Sequence, residues 1–293
     1  MSTIVKLTDS AFHIYESHNV FCTLVIGAKR ALLIDTGFGC RDVMADVRSL
    51  TGLPLVVAHT HAHLDHAFPY ASVPEVRVHR DDVALYKANT GALIKLVNIL
   101  WNPIKADRDE MRAYSRNYTK KRPRVNELAD GDAIDLGDTV LKVISTPGHT
   151  KGSVCFLDER NKLLYCGDSV SNHVWVCLKE STTVAAYAAG LERLRTFIDD
   201  SYRIVASHSE EPLNAVVLDR LIACARRVDP AKSAKYRNWY CKNSYVYSEG
   251  LDVLTERYGI TSFDEMVANL SRIDKDIFRN GEFVSVVFRK DKL

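Results

Sequence analysis

Residues 59 to 66 read His-Thr-His-Ala-His-Leu-Asp-His, so that His61, His63, Asp65 and His66 put four metal-ligand side chains within six positions. Burying several imidazoles and a carboxylate without a cation leaves polar groups unsatisfied, at roughly 2–7 kcal/mol each. The preceding Leu55-Val56-Val57-Ala58 reads as a short buried strand. In a segment that stays extended, His61 and His63, two apart, point the same way and can grip one ion. Asp65 and His66 fall where the chain is expected to turn into a helix, and their side chains project in a second direction. One loop can thus feed two metals.

Three further ligand candidates each follow a probable strand and are hemmed by small or turn-forming residues. His149 follows Pro147-Gly148, Asp168 follows Gly167, and His208 follows Val205-Ala206-Ser207. Loops at strand ends are where a rigid sheet presents chemistry. The full set is five His and two Asp. Nitrogen and oxygen donors without a thiolate suit Zn²⁺, and the same set accepts Fe or Mn.

The ordered pattern His-x-His-x-Asp-His, then single His, Asp and His, resembles the metallo-β-lactamase-fold metallohydrolases over roughly residues 1 to 225. Leu33-Ile34-Asp35-Thr36-Gly37 resembles the first motif of that superfamily, whose Asp is structural and lies beneath the metal loop. Thr146-Pro147-Gly148-His149-Thr150-Lys151-Gly152-Ser153 resembles the third-ligand loop of glyoxalase II-like and lactonase-like members. The resemblance implies an α+β fold, a four-layer αββα sandwich with the site at one edge. It carries a helical insertion at about 83–127, and residues 226–293 form a C-terminal extension packing on the same domain. It further implies that His61, His63 and His149 hold one ion and Asp65, His66 and His208 the other, with Asp168 bridging them.

Two cations about 3.5–4 Å apart can share a water and lower its pKa from about 15.7 to near 7, while one of them polarises a carbonyl or phosphoryl oxygen. Asp65 is then placed to steer the nucleophile and to receive a proton, and Asp65 and Asp168 are the candidate catalytic residues. Relatives of this type hydrolyse thioesters, lactones, β-lactams, sulfate esters and phosphodiesters, so fold and metals do not select the substrate. The walls must. Candidates are the 83–127 insertion, the aromatic tail from Tyr236 to Tyr247, and Ser169-Val170-Ser171-Asn172-His173. Aromatic and aliphatic walls with few charges favour a small organic acyl substrate, a carboxylic ester, thioester or lactone. Two alternatives remain: a phosphodiesterase or nuclease, supported only by Lys120-Lys121-Arg122-Pro123-Arg124, and a non-haem iron redox protein. His63 speaks against the second, since diiron redox relatives commonly carry Glu there.

There are departures from the family pattern. Ala67-Phe68-Pro69-Tyr70 replaces a common Gly-Gly loop, and Ser209-Glu210 follows His208 in place of Gly. His59 reads as a core histidine or a support to the ligands rather than a ligand.

The elements that must carry these residues begin with strand-like runs at 4–7, 12–15, 22–26 and 31–34, then helical spacing at 41–50. A strand at 76–79 precedes a helix over 81–101 whose stripe of Leu93, Leu96, Val97 and Leu100 is broadened by Ile94, Ile99 and Trp101. A stripe this broad ordinarily faces a core; a cap over a pocket and a subunit contact are the alternatives. The basic run up to Arg124 reads as a solvated loop or strand edge. Further helices are expected at 183–198, 213–227 and 262–271, and a last strand at 283–288.

The 293 residues are 46% hydrophobic, enough for a substantial core, and 39 Lys and Arg against 37 Asp and Glu give a formal charge of +2. That balance gives no global drive toward nucleic acid or membrane; a small molecule is the expected partner, and a homodimer stays open. Seven scattered cysteines without a Cys-x-x-Cys pair argue against a disulfide framework or a zinc ribbon. With no signal-peptide pattern and no apolar run of membrane-spanning length, a reduced, cytoplasmic setting is expected.

Overall fold

A computed structural model of the chain describes residues 4–101, 105–118 and 122–293. It divides into two units. The first comprises Met1–Ser145, Gly152–Gly167 and Ser207–Glu210; the second comprises Thr146–Lys151, Asp168–Ala206 and Glu211–Leu293.

The first unit opens with strands β1 (Ile4–Lys6), β2 (Ala11–Ser17), β3 (Val20–Ile26) and β4 (Ala31–Ile34), and continues through helix α1 (Val43–Leu50), β5 (Leu55–Ala58) and β6 (Glu75–His79). After a 3₁₀ turn at Arg80–Asp82 come α2 (Val83–Asn89), α3 (Ala92–Trp101), α4 (Arg108–Asn117) and β7 (Arg124–Leu128). These seven strands form one sheet in chain order, antiparallel from β1 to β4 and parallel from β4 to β7. Parallel neighbours need long crossovers. α1 serves between β4 and β5, and α2 to α4 lie between β6 and β7, but residues 59–74 between β5 and β6 contain no helix. That crossover is the histidine loop. Because Ile34 pairs with Ala58, Asp35 and His59 leave neighbouring strand ends side by side. β8 (Ala133–Asp135), β9 (Val140–Ser145), β10 (Val154–Asp158) and β11 (Leu163–Gly167) form an antiparallel run in the same unit.

Two expectations about helices do not hold. No helix begins at Asp65 and His66; the segment is a single turn closed by His66 N–H and Ala67 N–H donating to His63 O. Thr36 consumes the carbonyls a helix would use, its N–H donating to His66 O and its hydroxyl lying 3.2 and 3.0 Å from His66 O and Phe68 O, and Pro69 has no N–H to continue one. The expected helix over 81–101 is likewise broken at Thr90 and Gly91, and its apolar stripe does not face a core: Leu93, Leu96 and Leu100 are exposed. Among the described side chains of α3 the buried one is Asn98, whose amide donates to the Tyr114 hydroxyl on α4 at 3.2 Å. The core beneath is filled by Phe68, Tyr70, Tyr86 and Tyr114. Of the basic run, Lys120 and Lys121 lie outside the described residues, while Arg124 begins β7, the sheet's last strand, as expected of an edge.

The second unit contains β12 (His173–Val176), α5 (Val184–Arg195), the paired β13 (Arg203–Ala206) and β14 (Leu213–Asn214), and α6 (Val216–Arg226). Then follow β15 (Ala234–Tyr236), β16 (Ser244–Glu249), α7 (Leu251–Tyr258), α8 (Phe263–Ala268), α9 (Lys275–Arg279) and β17 (Val284–Phe288). A four-stranded sheet runs β12-β17-β16-β15, with β17 parallel to β12 and antiparallel to β16. Its apolar face meets Leu254, Phe263, Met266 and Ile277 in a common core. No helix among the described residues is long and apolar enough to cross a membrane.

Candidate metal centre

In the first unit, Asp35 sits at the end of β4 with a positive φ of 62° and is fully buried. Its Oδ1 accepts from Thr60 N–H at 2.7 Å, and its Oδ2 accepts from the Thr60 hydroxyl at 2.8 Å and from His66 Nδ1 at 3.0 Å. Burial pushes this carboxyl up, but His59 and His66 outweigh it and hold the pKa below the ordinary 3.8. These contacts account for the structural role that the resemblance implies for Asp35. His59 is a buried core residue stacked on Tyr86, with ring centroids 5.6 Å apart, and its Nδ1 lies 3.8 Å from Asp35. It neighbours the carboxylate beneath the loop.

The ligand candidates of this unit fall into two groups. The His61 and His63 rings meet edge-on with centroids 4.7 Å apart. Ligand atoms of Asp65, His66 and His208 lie within 4.8 Å of one another. His66 Nε2 is 3.4 Å and His208 Nε2 3.5 Å from Asp65 Oδ2. Burial raises the Asp65 carboxyl, yet His66 and His208 hold it well below the usual carboxylate range. In the second unit His149 Nε2 lies 3.5 Å from Asp168 Oδ2.

Four of these histidines share one arrangement. His66 Nδ1 faces the Asp35 carboxylate, His208 Nδ1 faces Asn19 O at 3.0 Å, and His149 Nδ1 faces Trp175 O at 2.8 Å. His61 Nδ1 lies 3.1 Å from the Thr60 hydroxyl, whose own proton goes to Asp35. Carboxylates and carbonyls only accept, so Nδ1 carries the hydrogen and Nε2 becomes the basic nitrogen. A basic nitrogen and a carboxylate oxygen about 3.5 Å apart repel unless the ring gains a second proton or a cation lies with them. The donor set, its tautomers and its charge fit a divalent cation.

Some supports have no counterpart in the ligand pattern. Asp82, buried after β6, accepts from Ala62 N–H, between His61 and His63, at 3.0 Å and from Gly152 N–H at 2.9 Å. Asn89 donates to Ala62 O at 2.8 Å. A Cβ on Gly152 would stand 2.6 Å from Asp82 N, so only glycine fits. The Trp175 and Asn19 carbonyls that orient His149 and His208 are backbone groups any residue could supply. His173 stands in an aromatic cluster of the second unit: Nδ1 is 2.8 Å from the Ser285 hydroxyl, Trp175 Nε1–H donates to its Nε2 at 3.0 Å, and its ring stacks on Phe263. Burial pushes its pKa down to about 4.

Residues 17–216 match the family model of the metallo-β-lactamase superfamily. The acyl-coenzyme A thioesterase MBLAC2 of Gallus gallus is 31% identical over 202 residues, covering 63% of this chain and 70% of the relative. A hydroxyacylglutathione hydrolase of Francisella philomiragia is 53% identical over 45 residues, 15% of this chain and 18% of that one. The solved metallo-β-lactamase from Pontibacter korlensis aligns at a TM-score of 0.54 with 17% identity, over 77% of this chain and 99% of its own, and shows the shared α+β sandwich fold. The chain belongs to the metallo-β-lactamase superfamily and is a hydrolase of that family.

Proposed function

We propose that this hydrolase cleaves acyl thioesters with two divalent ions, zinc by default. His61, His63 and His149 would hold one ion and Asp65, His66 and His208 the other, with Asp168 as the ligand between them. The observation that carries this reading is the common tautomer of His61, His66, His149 and His208, which presents Nε2 in each. When bound, such an ion pair supplies Lewis acidity and a water whose pKa is brought to about 7. Hydrolysis would add water at the thioester carbonyl and break the C–S bond, releasing the acid and the thiol. Asp65, held ionised, would take up a proton through the carboxylate oxygen not committed to the ion and deliver it to the departing sulfur. Asp35 keeps His66 in register throughout.

The choice of thioesters over other bonds is supported by the relative that is named an acyl-coenzyme A thioesterase. Trp175 and Tyr236, both half-buried, offer an apolar wall for an acyl group, and the Trp175 carbonyl also holds His149.

Elemental analysis of the purified protein, followed by a panel of acyl-coenzyme A thioesters, lactones and phosphodiesters, tests the reading. Two metal equivalents and fastest turnover of thioesters are expected, with activity abolished by Asp168→Ala in a protein whose circular dichroism is unchanged. Less than one equivalent after zinc is resupplied, or preference for phosphodiesters, would overturn it.

A further inference from the structure

Five large apolar side chains on one ten-residue helix, α3, are left to solvent: Leu93, Leu96, Ile99, Leu100 and Trp101 are between 39% and 79% exposed. Leu93, Leu96 and Leu100 follow i, i+3, i+7 spacing and form one stripe. Contiguous apolar patches of this kind on a soluble protein mark an interaction surface. The inward side of α3 is set by Asn98, which bonds Tyr114 of α4, so the leucines are on the outside of this helix pair.

The charge of this segment is equally uneven. Among the side chains described between residues 83 and 124, seven Lys and Arg stand against three Asp and Glu, an excess of four, whereas the whole chain sums to +2. On α4 the buried residues are Ala113, Tyr114 and Asn117, and Arg108, Arg112 and Arg116, four apart, form an exposed stripe. The Arg122 guanidinium stands beside Gly91 at the start of α3, within 3.4 Å of where a Cβ would be. The near-neutral charge of the whole chain conceals this local excess.

We infer that the α3–α4 pair docks on the surface of a bilayer bearing anionic lipids. A helix of ten residues is about 15 Å long and cannot span a hydrocarbon core of about 30 Å, so it lies in the interface with its leucines and tryptophan in the acyl boundary. Lysines and arginines meet the anionic headgroups. Pairing with a second copy of the chain would instead bring two segments of the same excess positive charge together, which like-charge repulsion opposes. A lipid surface matches the apolar stripe and the charge at once.

Co-sedimentation of the full chain with phosphatidylcholine vesicles, with and without roughly 30% phosphatidylserine, tests this. Binding to the anionic vesicles at least about tenfold tighter than to the neutral ones is expected, weakening as salt rises. Leu96→Asp with Leu100→Asp, and separately Arg108→Glu with Arg116→Glu, should each reduce binding about tenfold or more. These residues are exposed, so the thermal melt should not move. Absence of sedimentation with anionic vesicles, or variants that bind like the parent, would overturn the inference. So would a dimer seen by light scattering that Leu96→Asp with Leu100→Asp dissolves while vesicles are ignored.

Discussion

Asn19 and His208 hold one another through two hydrogen bonds: the Asn19 amide donates to His208 O at 2.8 Å, and His208 Nδ1 donates to Asn19 O at 3.0 Å. Asn19 follows His18 in the tight turn between β2 and β3, both with positive φ, a conformation that Asn tolerates well. A hairpin tip far along the chain thereby fixes the tautomer of His208. Asn19→Ala removes the side-chain half of this clasp. Metal titration monitored by calorimetry should show affinity at the Asp65–His66–His208 position weakened about 10- to 100-fold, with little change at His61 and His63.

His173 gives the second unit a dependence on pH. Its folded pKa of about 4 lies below the ordinary 6.5, so the unfolded chain binds more protons between those values and stability rises with pH there. The contribution is complete above about pH 6.5 and is lost as pH falls from 6.5 toward 4. Urea unfolding at pH 7 and pH 4.5 should show a drop in the parent that is markedly smaller in His173→Gln.

Gly152→Ala would set a methyl 2.6 Å from Asp82 N. Overpacking of this kind costs about 1–3 kcal/mol, and it displaces the carboxylate that receives Ala62 N–H. A lowered melting temperature together with reduced metal content is expected, and zinc should restore the second only in part.

Tyr86 is fully buried with a hydroxyl that finds no hydrogen-bond partner among the described residues, and burial raises its pKa strongly. A buried, unmatched polar group costs about 1–3 kcal/mol. Tyr86→Phe should therefore leave stability unchanged or raise it by about 1 kcal/mol in a denaturant titration, while the stack on His59 persists.

Much of the first unit was legible because side chains carry the signal. β4 and β5 appear as unbroken aliphatic runs, and the ligands cluster by type and spacing. What escaped reading is carried by the backbone or by polar residues facing inward. The Asn19 and Trp175 carbonyls leave no mark in the sequence, and Asp82 looks like one of two ordinary acids before a helix. α3 misled for the opposite reason: its leucines have the periodicity of a core helix, yet the polar Asn98 faces in. α4, with Arg-Asp-Glu-Met-Arg-Ala-Tyr-Ser-Arg-Asn, is too polar for its periodicity to stand out, and its capping box around Asp107 and Glu110 was the available clue.

Strand β17, buried along its whole length, lies between β12 and β16 in the sheet of the second unit. During synthesis β12 leaves the ribosome more than a hundred residues ahead of this neighbour, and β17 supplies its pairing and the Ser285 hydroxyl that bonds His173. The sheet therefore cannot close before β17 emerges, and the hydrogen bond from Ser285 to His173 in the aromatic cluster forms only then. Translation stalled before residue 284 would yield a chain with a complete histidine loop and an open sheet, an aggregation-prone species of the kind that chaperones retain.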